Sequence, residues 1–142
     1  MGDIALTAAK IAVVDPDKAW IDTYIAGVAI TAGQFVYGIV STGTVGLADE
    51  DADAEHSWVL GMALDAAAAG QAVQVLRRGK TYGFTLSGHA YWLPCSLSAT
   101  AGALLDTGAA TNIVARVVPL SDADLTKVLE VNCTLGTIAA VT

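Results

Sequence analysis

Lys80-Thr81-Tyr82-Gly83-Phe84-Thr85-Leu86-Ser87 alternates large and small side chains with a period of two. Successive side chains of an extended strand point to opposite faces. That period sets Tyr82, Phe84 and Leu86 on one face and Thr81, Gly83, Thr85 and Ser87 on the other. Upstream, Gln71-Ala72-Val73-Gln74-Val75-Leu76 reads as a second strand. Downstream lie Asn112 to Val118 and Lys127 to Cys133, the latter with Leu129, Val131 and Cys133 inward. Turn residues separate such runs at short intervals: Ala32-Gly33, Ser41-Thr42-Gly43, Ala69-Gly70, Arg78-Gly79, Ser87-Gly88, Thr107-Gly108 and Leu135-Gly136. This punctuation predicts an all-β fold, a compact β-barrel or sandwich of short antiparallel strands with an N-terminal arm and little helix. Ala63 to Ala69 is compatible with one helical turn that Gly70 stops. Ala32-Gly33-Gln34-Phe35-Val36 is echoed by Ala69-Gly70-Gln71-Ala72-Val73, a favoured turn chemistry used twice.

The first residues read differently from the rest. Ile4 to Val14 is apolar without turn residues, and Asp15-Pro16-Asp17 then breaks it. Proline fixes φ and restricts its predecessor, so Asp15 could cap a short helix through Ala19-Trp20; an extended arm fits the same letters. The chain is divided accordingly into an N-terminal arm, residues 1–24, and a β-rich core domain, residues 25–142.

Composition narrows the function classes. The 142 residues are 54% hydrophobic, 15% charged and 6% aromatic, with a net charge of −7. Mean hydropathy is +0.57, which argues against disorder. Seven basic residues, clustered only at Arg77-Arg78-Lys80, argue against a nucleic-acid partner, and that cluster reads as a solvated strand end. The longest apolar stretch, Ala26 to Val40, is broken by Gly27, Gly33, Gln34 and Gly38, so no membrane span is expected. A basic leader followed by an apolar run is lacking at the start, so the chain reads as a soluble protein made in a cytoplasm. Cys95 and Cys133 are then expected to be buried free thiols.

Chemical motifs fail one by one. Gly79-Lys80-Thr81 resembles the end of a phosphate-binding loop, but Gln74 stands where that loop needs glycine, and no helix follows. Asp49-Glu50-Asp51-Ala52-Asp53-Ala54-Glu55 would need Gly and Glu where Ala54 and Leu60 stand to be a calcium loop. It reads as a solvated acidic loop, a loose surface calcium site being the other reading. His56 and His89 lack zinc-ligand spacing, and Leu86-Ser87-Gly88-His89 lacks the first glycine of a nucleophile elbow. No enzyme, cofactor or metal site is expected. Trp58 and Tyr91-Trp92 lie in strand-like segments and read as core or subunit-interface fillers, or as a sugar-stacking platform.

The order of several segments carries more. Ile25 to Tyr37 is followed by Gly46-Leu47-Ala48-Asp49 and the acidic loop, then by Gly61-Met62-Ala63-Leu64 and Ala68 to Val75. Ala90-Tyr91-Trp92-Leu93 and Ser98 to Leu104 close the series. This order resembles the small capsid decoration, or cement, proteins of tailed bacteriophages, over roughly residues 3 to 140. The resemblance implies an all-β virion protein, made in the host bacterial cytoplasm. Such a protein assembles, usually as a homotrimer, on the outer surface of the phage head and bridges neighbouring major capsid proteins. The implied partners are the major capsid protein and other copies of the chain. Capsid or subunit contacts are expected at Ile4, Leu6, Thr7, Ile11, Val13, Trp20, Trp58, Tyr91 and Trp92, the first five as an arm that adds a strand to a capsid sheet. An internal first strand is the other reading of that arm. The alternative function is a phage tail or surface-adhesion module that binds carbohydrate.

Overall fold

The computed structural model describes residues 3–49, 58–98, 100–106 and 113–133. Ten strands run in chain order: β1 (Ala12–Val13), β2 (Trp20–Ile25), β3 (Phe35–Gly38), β4 (Val45–Leu47), β5 (Val59–Ala63), β6 (Ala72–Tyr82), β7 (Pro94–Leu97), β8 (Leu104–Leu105), β9 (Ile113–Pro119) and β10 (Lys127–Asn132). Their pairings are antiparallel, in the order β4-β3-β5-β6-β10-β9-β7-β8, and the sheet curls into a half-barrel. Among the described residues, helix is confined to two 3-10 turns, Ala8–Lys10 and Pro16–Lys18. The all-β expectation holds.

The spine is β6, whose 11 residues serve four neighbours. On one edge it pairs first with β2 and then with β1; on the other it pairs with β5 and then with β10. The change of partner coincides with a bulge. Trp20 pairs with Arg78 and Ile21 with Leu76, which leaves Arg77 as the extra residue. Gly79 follows at φ +145°, where an added Cβ would stand 3.1 Å from Ala19 Cβ. These residues read as a strand end and a turn from sequence, whereas the strand bends here and continues to Tyr82. A glycine beside charged residues signals a turn and a bulge alike, and only the partner strands distinguish them.

The concave side of the sheet holds the main core, in which Phe35, Met62, Leu76, Leu97, Val117 and Leu129 are fully buried. Neighbouring residues on the same strands, Val36, Val73 and Val75, point the other way and are also buried. Thus β3 and β6 are covered on both faces. Ala26, Ile30 and Ala67, from two loops, make that second cover.

Those loops are related by a local pseudo-two-fold. The Gly33 amide donates to Ala63 O and the Ala63 amide to Gln34 O, while the Gly70 amide donates to Ala26 O and the Ala26 amide to Gln71 O. Ile30 and Ala67 bond each other reciprocally at 2.9 Å on the dyad. Each turn has its glycine at positive φ, +91° for Gly33 and +88° for Gly70. In each, a glutamine oxygen accepts from the main chain three residues earlier: Thr31 to Gln34 at 2.9 Å, Ala68 to Gln71 at 2.8 Å. The sequence echo is therefore one structural unit. The helical turn expected over Ala63 to Ala69 is not formed, because Ala67 is spent on its bridge to Ile30.

The N-terminal segment packs into the chain's own sheet. Ile4 is buried and its amide donates to Leu104 O, Thr7 donates to Gly83 O, and Thr85 donates to Ala5 O. Leu6 bridges Phe84, and β1 pairs with Thr81 and Tyr82. Of the two readings of Ile4 to Val14, the internal strand is the one formed. Asp15 does cap a turn, with its side chain accepting from Asp17 N at 3.2 Å, but the turn ends at Lys18 and Trp20 opens β2.

The alternation that predicted the fold is inverted at its start. Thr81 is fully buried, its hydroxyl donating to Ala12 O at 3.2 Å, while Tyr82 is exposed. Beyond Tyr82 the strand ends; Leu86 is buried and Phe84 is half-buried. The bulge at Arg77 and the positive φ of Gly83 (+108°) explain the change of face.

Candidate interaction surface

Two clusters of exposed aromatics interrupt the polar surface. The first stands on β2, where Trp20, Asp22 and Tyr24 alternate along the strand and share one face. Trp20 Nε1 (3.1 Å), the Tyr24 hydroxyl (3.2 Å) and the Arg77 guanidinium (3.4 Å) all converge on Asp22 Oδ2. Arg77 is the bulged residue of β6, and the bulge is what aims it here. Its guanidinium lies 4.9 Å from the Trp20 ring centroid and donates to Tyr24 Oη at 3.2 Å. Arg77 is buried and its Nε has no hydrogen-bond partner. The basic cluster expected to be solvated is thus split: Arg77 anchors the aromatic ladder, while Arg78 and Lys80 line a neighbouring cleft of about 400 Å³ with Asp15, Lys18 and Glu130.

The second cluster is Tyr91, Trp92 and Leu125. Trp92 is 60% exposed and, among the described residues, is the non-glycine residue with positive φ, +67°. A left-handed backbone costs a bulky residue about 1 kcal/mol or more. The surrounding chain enforces it, since the Trp92 amide donates to Val117 O at 2.6 Å and Val117 N donates to Leu93 O at 3.1 Å. The Tyr91 hydroxyl donates to Leu125 O, and Lys127 Nζ lies 5.0 Å from the Tyr91 ring centroid while donating to His89 O. A shallow cleft of about 330 Å³ opens beside Trp92, walled by Val118, Pro119, Leu125, Lys80 and Glu130.

The expected contact residues therefore fall into two groups. Ile4, Leu6, Thr7, Ile11 and Val13 bond or pack within the chain itself, Thr7 with its side chain exposed. Trp20, Trp58, Tyr91 and Trp92 are exposed. The core-filler reading of Trp58, Tyr91 and Trp92 fails, because Tyr91 and Trp92 occupy a turn before β7 and Trp58 precedes β5. Leu125 and Arg77 were not legible as surface components. Leu125 sits in a polar loop, and Arg77 depends on a bulge that sequence does not mark.

Chemistry at these places is sparse. Among the described residues, no group of three or more His, Cys, Asp or Glu is close enough together to hold a metal ion. His89 lies near Asp106, Nδ1 to Oδ2 3.8 Å. Cys95 and Cys133 are buried and unbridged. Burial pushes their thiols up, to about 11 for Cys95 and about 12 for Cys133, away from nucleophilic chemistry. The Thr126 hydroxyl and amide hold the exposed Asp124 carboxylate below its ordinary range, bonds that fix the loop carrying Leu125. Of the acidic loop 49–55, residues 50–55 lie outside the described residues, as does His56. No helix among the described residues is long and apolar enough to cross a membrane. No family model, curated protein or solved structure matches the chain.

Proposed function

We propose that the protein is a capsid decoration protein, which binds the outside of a phage head as a homotrimer and bridges major capsid proteins. The observation that carries this reading is Trp92: an exposed indole held at positive φ by main-chain bonds to Val117. Strain kept in place around an exposed aromatic is characteristic of a binding residue. The flanking Val118, Pro119 and Leu125 make the cleft beside it mainly apolar and shallow, which suits a protein surface better than an enclosed small molecule. A net charge of −7 keeps such a chain dispersed until it meets a complementary lattice, where many modest contacts add up.

Trp92→Gly tests the reading cleanly. Glycine accepts the left-handed backbone, so the variant is expected to keep its melting midpoint while losing the indole. Co-sedimentation with expanded phage heads should show binding for the parent and at least a tenfold loss for the variant. Equal binding by both, or no binding by the parent, would overturn it. Quenching of tryptophan fluorescence by oligosaccharides, lost in Trp92→Gly, would support the carbohydrate module instead.

A further inference from the structure

The half-barrel closes most of its edges internally. Gly102 links Phe35 and Ala48 across the mouth, and Asp3 and Ile4 cover β8. Val45 on β4 is bonded by Gly27. One long edge is left: β2 pairs with β6 alone, and among the described residues nothing bonds its other side. The Ala26 amide donates to Gln71 O, and Gln74 O on the far edge of β6 accepts from Leu64. By alternation, the main-chain groups of Asp22 and Tyr24 face β6, and those of Ile21, Thr23 and Ile25 face outward, unpaired.

Natural edge strands are guarded by lysine, proline, bulges or a bare charge. Trp20-Ile21-Asp22-Thr23-Tyr24-Ile25 carries neither lysine nor proline, and its bulge lies on β6. Its one charge, Asp22, is engaged at Oδ2 by three donors of its own subunit. The guard is disarmed. The stretch is also self-complementary about Thr23. Two antiparallel copies set Ile21 against Ile25 of the partner subunit, Thr23 against its equivalent, and Asp22 against Tyr24 of the partner subunit. Centring the pair on Asp22 instead would oppose two carboxylates, which is destabilising.

We infer that the outer edge of β2 is a self-association surface on which a second copy of this chain pairs its own β2, antiparallel, about a two-fold axis at Thr23. The pairing supplies about six main-chain hydrogen bonds between the outward groups of Ile21, Thr23 and Ile25. It brings exposed Ile25 and half-buried Ile21 of both copies into one aliphatic patch. Because it consumes the free edge of both copies, this contact joins subunits two by two and leaves no β2 edge for a third. This contact stands apart from the three-fold assembly proposed above.

Sedimentation velocity over a concentration series tests it with Thr23→Pro, Thr23→Lys and Thr23→Val. The amide of Thr23 points away from β6, so proline there leaves the intramolecular ladder intact and removes only the outward donor. The parent and Thr23→Val should form an even-numbered species, and the proline and lysine variants should weaken it by about 100-fold. Circular dichroism of Thr23→Lys, which keeps every main-chain donor, separates lost pairing from lost folding. A parent that stays monomeric at every concentration overturns the inference, as does a dimer indifferent to both proline and lysine. A trimer untouched by either variant overturns it while leaving the decoration reading standing; an even-numbered parent that both variants dissociate supports it whether or not phage heads are bound.

Discussion

At the scale of single residues, burial governs what the polar groups can do. Arg77 would be unremarked on a strand end, yet the bulge turns it inward, where Asp22, Tyr24 and Trp20 receive it. The thiols show the same control in a form that pH can read. Cys133 is fully buried, its Sγ donating to Val114 O at 3.7 Å, and desolvation outweighs the opposing influence of Arg77. Both thiols are neutral in the folded chain up to about 11 and 12, against 9.0 for an ordinary cysteine. Below 9.0 folded and unfolded chains bind the thiol protons equally, so nothing changes with pH from this source. Above it the unfolded chain loses protons that the folded chain keeps, and stability must fall as pH rises. The melting midpoint is therefore expected to decline from pH 9 to pH 11, and to decline less steeply in Cys133→Ala. A thiol reagent at neutral pH should label neither cysteine until denaturant is added. Labelling of Cys133 in the folded chain at the rate of free cysteine would contradict this.

At the scale of elements, the strands were legible where burial follows the simple period and illegible where backbone geometry intervenes. Leu129 and Val131 on β10, and Cys133 just past its end, are inward as their spacing requires, because that strand runs without a bulge between β6 and β9. Arg78-Gly79 and Ala63 to Ala69 carry local signals of turn and helix that long-range pairing overrides. The repeated Ala-Gly-Gln turn was visible as letters, but its dyad was not, since reciprocal pairing needs both copies in space. The exposed aromatics of the candidate surface could be listed from sequence, but their exposure could not be read there. Glycines show the same division. Gly70 takes φ +88° with open space around a would-be Cβ, so Gly70→Ala should cost only the left-handed strain, about 1–2 kcal/mol. Gly61 has no such backbone demand, yet a Cβ there would lie 2.3 Å from Leu76 O on the neighbouring strand. That oxygen belongs to the spine and cannot yield without breaking the pairing of β5 with β6. Gly61→Ala is expected to cost about 3 kcal/mol or more, measured by urea unfolding. A smaller effect at Gly61 than at Gly70 would show that β5 shifts freely on β6.

At the scale of the whole molecule, the half-barrel is built so that its first residues are its closure. Ile4 lies in the main core with Leu97, Leu104 and Val131, while Ile11 and Val13 pack against that core. The segment also supplies main-chain partners to Leu104, Gly83, Thr85 and β6. An arm available to a capsid sheet would have to give these up first, exposing apolar surface on two sides. Burying one isoleucine is worth about 1.5–3 kcal/mol, and marginal folds have about 5–15 kcal/mol in total. Deleting residues 3–14 removes one buried isoleucine, three partly buried β-branched side chains and a row of ladder bonds together. The truncated chain is therefore expected to lose its cooperative thermal transition and to aggregate. Ile4→Ala alone should leave a folded protein destabilised by about 2–5 kcal/mol. The two variants answer different questions. If the truncation melts cooperatively near the parent and only its attachment to heads is lost, the segment is a detachable arm and the closure described here is not what holds the barrel. If the truncation fails to fold while Ile4→Ala folds and still binds, attachment belongs to the exposed aromatics of the far loops, where Trp92 stands.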